Sequence, residues 1–308
     1  MTPPRQEKRL DRLKALFAAH GIRPHIRFGQ NFLLDTNQVN LVARLGEVGP
    51  GDLVLEVGVG TGFLTRVLAE AGARVVGVEI DRRMAALARE EVGALPAVEI
   101  VEGDVLAGKN ALNPGVLARV AEHLPPEGSG ALKCVSNLPY GAGTPFVANL
   151  CRSELPWRLG VFMLQYEVAR RLAAAPATDD YGALTVAAAL AGEATVARRV
   201  PPQVFWPRPK VASAIVRLEF LPAAERAALP WDDLRRVTAA VFTARRKTLL
   251  NAFKGRIDRE RAAAAIAGAG LDPDRRGETL APEEFLALAR ALRTLLPDAG
   301  GPRRREDA

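Results

Sequence analysis

The stretch Val135-Ser136-Asn137-Leu138-Pro139-Tyr140, continuing Gly141-Ala142-Gly143-Thr144-Pro145-Phe146, brings an amide, a rigid turn and an aromatic ring to the end of an apolar run. Pro139 ends the short strand expected around Lys133-Cys134-Val135. It also forces Leu138 out of the helical region, so that its carbonyl points away from the sheet. The side-chain oxygen of Asn137 is a second acceptor, and Tyr140 offers a flat face on which a planar base can stack. An ordinary strand-to-helix turn would use the same residue types, so the motif needs support from its surroundings.

That support comes from three earlier strand ends. Asp52–Val57 reads as a strand running into Gly58-Val59-Gly60-Thr61-Gly62 before a helix from Phe63 to Ala71. Arg74–Val78 ends at Glu79, with Asp81 as a competing acid, and Val98–Val101 ends at Gly103-Asp104. In an open parallel sheet these ends, with Asn137, share the carboxyl edge where ligands bind. Phe63 stands where a dinucleotide fingerprint has its third glycine, which weakens a pyrophosphate-binding reading. A single acid at such a place is commonly a helix cap. Four functional ends in succession fit an adenosine-containing ligand without a pyrophosphate. Gly58 and Gly60 would lie beside its amino-acid end, Glu79 on the ribose hydroxyls and Asp104 on the adenine amine. S-adenosylmethionine answers that description.

Bulk properties narrow the class. The 308 residues are 48% hydrophobic and 25% charged, as in a soluble globular protein with one large and one small domain. No apolar run is long enough to cross a bilayer, and Met1–Arg12 is charged with no apolar stretch after it, so a cytoplasmic protein is expected. Cys134 and Cys151 show neither a metal-ligand spacing nor a paired framework, which predicts reduced thiols and no metal site. The formal charge of +7 suits a polyanionic partner. Its distribution says more: Leu234–Ile257 holds seven basic residues, Arg235, Arg236, Arg245, Arg246, Lys247, Lys254 and Arg256, and no acid.

The remaining elements must position these groups. Residues 5–20 form an amphipathic helix on Leu10, Leu13, Leu16 and Phe17. The first 27 residues carry a formal +5, read here as a solvated face. Arg27–Asp35 is too interrupted by polar residues for a strand and is expected as a pocket-lining loop before a helix over Thr36–Gly46. Residues 114–123 form a helix with no assigned chemistry, and another follows the Tyr140 loop to Cys151. Leu159–Leu164 is a fifth strand, followed by a helix over Gln165–Ala174 and a linker over Ala173–Asp180. Thr185–Ala191 fits helix or strand, while Ala194–Val200 and Ala212–Phe220 alternate as an antiparallel pair that would close the sheet. Phe205 and Trp206, held among prolines and flanked by Arg208 and Lys210, suit either buried packing or an unpaired base with its phosphates. Helices are expected over 231–253, 258–269 and 282–296, and residues 299–308 as a disordered tail.

Taken together, Phe28-Gly29-Gln30-Asn31-Phe32-Leu33, Glu56-Val57-Gly58, Glu79, Gly103-Asp104, Asn137-Leu138-Pro139-Tyr140, Pro207–Ala214 and Arg245–Asn251 give a specific resemblance. The chain resembles the ribosomal RNA adenine N6-dimethyltransferases over about residues 26–255. Val59 and Thr61 depart from the family's usual proline and leucine, and the segment 105–133 is longer than usual. The resemblance implies a Rossmann-like α/β fold, with a seven-stranded class I methyltransferase sheet over residues 1–221, including a basic N-terminal helix in 1–26. A small all-α RNA-binding domain over 222–298 would follow. It implies S-adenosylmethionine contacts at Asn31, Leu33, Gly58, Glu79, Asp104 and Asn137, and a target base held by Tyr140 and Phe205. Arg208, Lys210, Arg245, Arg246 and Lys247 would bind RNA. The expected partner is small-subunit ribosomal RNA or its precursor subunit, met by a monomer without a membrane. Thr144-Pro145 and Arg245–Asn251 favour this branch over the large-subunit enzymes of the antibiotic-resistance type. The intact Asn137–Tyr140 loop argues against a non-catalytic RNA-binding or transcription factor on the same fold, and an NAD-dependent oxidoreductase fits least.

Overall fold

Side chains alternate between the two faces of a strand, so an uninterrupted apolar run such as Leu53–Leu55 must be covered on both sides. The computed structural model describes residues 5–24 and 29–296. Its first half runs α1 (Arg5–Ala19), β1 (Phe32–Leu33), α2 (Thr36–Leu45), β2 (Leu53–Val57), α3 (Phe63–Glu70), β3 (Arg74–Glu79), α4 (Arg82–Val92) and β4 (Val98–Glu102). A small hairpin of β5 (Leu106–Gly108) and β6 (Ala111–Leu112) leads to α5 (Pro114–Glu122), β7 (Leu132–Asn137), α6 (Gly143–Cys151) and β8 (Trp157–Gln165). Then come α7 (Tyr166–Leu172), α8 (Ala183–Ala191), β9 (Gly192–Val200), β10 (Phe205–Trp206) and β11 (Ser213–Phe220). Helices α9 (Ala223–Ala227), α10 (Trp231–Thr243), α11 (Leu249–Ala252), α12 (Arg259–Gly268) and α13 (Pro282–Leu292) complete the described chain.

Among the described residues, seven strands form one sheet in the order β4-β3-β2-β7-β8-β11-β9. The first five are parallel, and β11 runs antiparallel to both β8 and β9. One face buries Leu53, Leu55, Cys134, Phe162 and Val216, and the other buries Val54, Val135, Val161, Met163 and Ile215. A lysine inside β7 is tolerated because Lys133 Nζ donates to Asp52 Oδ2 at 2.8 Å and to the Glu47 carbonyl at 2.6 Å. Both cysteines are buried free thiols, and burial pushes each up to about 12.

The seven sheet strands lie within two residues of their expected ends, and Thr185–Ala191 proves helical. Two expectations fail. The loop before α2 contains a two-residue strand after all, because Phe32 and Leu33 pair with Trp206 and Phe205. The helix expected over 231–253 breaks after Thr243. Leu249 N–H donates to the Arg275 carbonyl at 2.8 Å, and Thr248 restarts the chain as the N-cap of α11. Phe28 and the expected disordered tail lie outside the described residues.

The helical core of Val237, Val241, Phe253, Ile266, Phe285 and Leu288 also takes in Tyr181, Val186 and Leu190. Helix α8 therefore serves two cores, since Leu184 and Ala188 pack on the sheet. Arg226 holds the start of the helical part to the lead-in of β8. It is 1% exposed and donates to the carbonyls of Leu221 at 3.1 Å, Ser153 at 2.5 Å and Leu155 at 2.6 Å. Arg226→Ala should lower the unfolding free energy by about 3 kcal/mol, measured by urea denaturation, because three carbonyls lose their donor and a cavity opens. A loss below about 1 kcal/mol would show that the contact is not structural.

Candidate active site at the strand ends

The crevice begins where two central strands part. β2 and β7 pair only from Leu53–Leu55 to Leu132–Cys134. Beyond that the Val57 N–H donates to Ser136 Oγ at 2.9 Å, so a side chain replaces the missing ladder partner. This is also where sheet order reverses direction, which in open α/β sheets leaves a ligand crevice beyond the carboxyl ends. The cavity there measures about 550 Å³ and is lined by the β2–α3 turn, Glu56, Glu79, the Asn137–Tyr140 loop, residues 29–34 and one face of α1.

Glycine is required in the turn. Gly58 and Gly60 have φ of 78° and 58°, and an added Cβ would stand 3.0 Å from the Pro139 ring or 3.2 Å from the Phe32 ring. The Gly60 N–H donates to Glu79 Oε2 and the Asp81 N–H to Oε1, both at 3.0 Å. Burial raises the Glu79 pKa, opposed by these two hydrogen bonds. Asp81 instead caps α4 and accepts from Gln30 Nε2 at 3.1 Å, so between the two acids Glu79 is the one that lines the cavity. Asp104 does not line it. Exposed at the end of β4, it accepts the Leu106 N–H at 2.9 Å.

Glu56 is the residue that motif reading undervalued. It is 1% exposed, lines the cavity, and its Oε2 has no hydrogen-bond partner among the described residues. Burial pushes its carboxyl up to about 8; the neighbouring Thr65 hydroxyl opposes the rise, without reaching hydrogen-bond geometry, and the Glu79 charge adds to it. A carboxylate inside Leu53-Val54-Leu55-Glu56-Val57 is itself the sequence signal, since a buried acid needs a partner.

At the mouth, Asn137 Nδ2 donates to the Asn31 carbonyl at 3.3 Å. A carbonyl can only accept, so this contact fixes the amide orientation and leaves Oδ1 available. Leu138 is buried and its N–H donates to the Met163 carbonyl at 3.0 Å, while its own carbonyl accepts no bond among the described residues. Tyr140 is tethered through its hydroxyl to Ser213 Oγ at 2.6 Å, and burial raises its pKa. Phe205 does not join it. Pairing with Leu33 turns Phe205 into the core at 3% exposure, where it presents no face to a base, while the half-buried Trp206 packs on Phe17 at 5.7 Å.

Two charge readings also change. Arg9 and Arg12 of α1 line the cavity with Leu13 and Leu16; their i, i+3, i+4, i+7 spacing places all four on one helical face. The acid-free segment meets acids from elsewhere. Arg245 pairs with Glu278 at 2.8 Å and donates to the carbonyls of Thr178 and Asp179, Arg236 pairs with Asp233, and Arg235 stands 3.8 Å from Asp232. Arg246, Lys247, Lys254 and Arg256 remain exposed without an ion pair among the described residues, as do Arg208 and Lys210.

Comparison with known proteins agrees with this geometry. A family model described as "Ribosomal RNA adenine dimethylase" matches residues 21–294. Ribosomal RNA small subunit methyltransferase A of Moorella thermoacetica is 40% identical over 91% of this chain and 96% of its own. The protein of the same name from Phenylobacterium zucineum is 42% identical over 96% and 98%. Among solved structures, a dimethyladenosine transferase from Plasmodium falciparum superposes with a TM-score of 0.69 at 22% identity, covering 85% of this chain and 98% of that one. The 23S rRNA methyltransferase ErmE gives 0.57 at 29% identity, over 85% and 100%. The sheet is thus the Rossmann-like one of class I methyltransferases, and the chain belongs to the ribosomal RNA adenine dimethylase family.

Proposed function

We infer that the cavity binds S-adenosylmethionine and that the chain transfers methyl groups to N6 of adenine in small-subunit ribosomal RNA. The small-subunit assignment is supported by the names of the relatives at 40% and 42% identity, against 29% for the large-subunit enzyme. The residues fit the methyl donor. Gly58 and Gly60 leave room that side chains would fill, Glu79 suits ribose hydroxyls, and the unpartnered Glu56 Oε2 suits an ammonium group. Asp104, outside the cavity lining, is assigned to the adenine edge from its place just after β4 alone. Asn31 and Leu33 border the cavity from the loop above.

The observation that carries the reading is the pair of acceptors at the mouth, Asn137 Oδ1 and the Leu138 carbonyl. An adenine amine is a weak nucleophile because its lone pair is delocalised into the ring. Bound S-adenosylmethionine supplies an electrophilic methyl group on a sulfonium. Asn137 and Leu138 accept the two N6 hydrogens, favour a more pyramidal nitrogen and aim its lone pair inward. Tyr140, anchored by Ser213, stacks on the base and limits its tilt. The methylated cationic nitrogen loses its proton readily, so no strong base is needed.

Asn137→Ala should slow single-turnover methyl transfer by about 10²-fold while RNA affinity changes little, because the contact acts on the reacting amine. Normal transfer by a folded variant would remove Asn137 from this role.

RNA phosphate is assigned to Arg246, Lys247, Lys254 and Arg256, with Arg208 and Lys210 flanking the site; Arg245 is reassigned to structure. Replacing the first four by Gln should weaken RNA binding and flatten its salt slope by about 3, with donor affinity unchanged. An unaltered salt slope would refute the assignment.

A further inference from the structure

Helix α1 is docked on the site and is not merely a solvated appendage. Leu13 and Phe17 are buried with Leu34, Met84 and Leu87, and Phe17 meets the Phe32 ring edge-on at 5.0 Å. Arg83 Nη1 also donates to the Gly21 carbonyl at 3.3 Å. This docking turns Arg9 into the cavity. Its guanidinium lies over the Phe63 ring, 3.2 Å from the centroid, and donates through Nη1 to Thr36 Oγ1.

Phe63 and Thr36 are the first residues of α3 and α2, so Arg9 sits between two helix N-termini. The N-terminus of α3 has no offsetting group, since its N-cap is Gly62, without a side-chain cap, and its first turn holds no acid. Arg9 itself has no carboxylate within ion-pair distance among the described residues, and Arg12 stands near it. Burial, then the Arg12 charge, lowers the Arg9 pKa, opposed by the Asp35 carboxylate at the start of α2. A half-buried cation beside an uncapped helix start, with a second cation near and the Asp35 carboxylate engaged as the N-cap of α2, has no anion paired with it directly.

We propose that Arg9 binds the carboxylate of the methyl donor's amino-acid tail, which makes α1 a working part of the donor site. This assignment rests on reading the cavity as the S-adenosylmethionine site. The cavity holds a partner for each end of a zwitterionic tail: the buried Glu56 carboxyl faces its ammonium, whose charge would favour the ionised form that burial opposes, and the Arg9 guanidinium, backed by the N–H groups opening α3, faces its carboxylate. Folding and donor binding are thereby linked through a helix that lies outside the sheet.

The test is equilibrium binding of S-adenosylmethionine and of its decarboxylated analogue, which keeps the sulfonium and ammonium and lacks only the carboxylate. The intact chain should prefer S-adenosylmethionine by about tenfold or more, the scale of a charge-assisted hydrogen-bonded pair. In Arg9→Gln, and in Arg9→Met, which keeps a stem to pack on Phe63, that preference should fall to within about twofold while analogue affinity is kept. Arg9→Lys should retain part of it. Equal loss of both ligands, or an unchanged preference, would overturn the assignment while leaving the cavity reading intact. Reduced RNA affinity with an unchanged donor preference would move Arg9 to a phosphate and overturn it too. An intact chain that binds neither ligand would defeat the cavity reading, and this inference with it.

Discussion

Asn137 can present its amide oxygen to a substrate only because its amide nitrogen is engaged by the Asn31 carbonyl, and much of the surrounding structure secures that one contact. Residues 29–35 are held from three sides. Gln30 bonds Asp81, Phe32–Leu33 pairs with Phe205–Trp206, and the Leu34 N–H donates to the Val204 carbonyl at 2.7 Å. The chain then passes from β10 into β11, whose first residue, Ser213, fixes Tyr140. Acceptors and stacking face are thus set by one closed circuit of contacts through β1, β10, β11 and the β7–α6 loop. Such circuits provide catalytic geometry without demanding rigidity from any single loop.

Most of the sheet was legible because four of the five parallel strands are short β-branched or apolar stretches ended or followed by a turn or polar residue: Gly58, Glu79, Asp104 and Asn137. Strand β1 was not, because two residues have no periodicity and their partner lies far along the chain. The same pairing decided Phe205. An aromatic among prolines suits a core or a base equally well in sequence, and only the register with Leu33 turns it inward. Arg9 was misread for the opposite reason: charge suggested solvent, while its spacing from Leu13 and Leu16 already placed it on the inward face.

The cavity brings together ionisable groups of both kinds: Glu56 and Glu79, whose pKa values burial raises, and Arg9 and Arg12 from α1. The absence of acids within Leu234–Ile257 does not make every cation there available, since folding brings Glu278 to Arg245 and the segment's own helix begins with Asp232 and Asp233. What remains exposed is a smaller set, suited to a phosphate backbone, whose contacts position a substrate without specifying its sequence. The sheet and the helical part that carries these cations are joined by α8 and by the Arg226 contacts.

The central claim is that these acceptors act on an adenine amine of small-subunit RNA. The most direct measurement incubates the protein with methyl-labelled S-adenosylmethionine and, separately, undermethylated small subunits, large subunits and naked RNA, then maps every labelled nucleotide. The account predicts label in N6-dimethylated adenine of small-subunit RNA. Label confined to large-subunit RNA, or to any atom other than adenine N6, would contradict it.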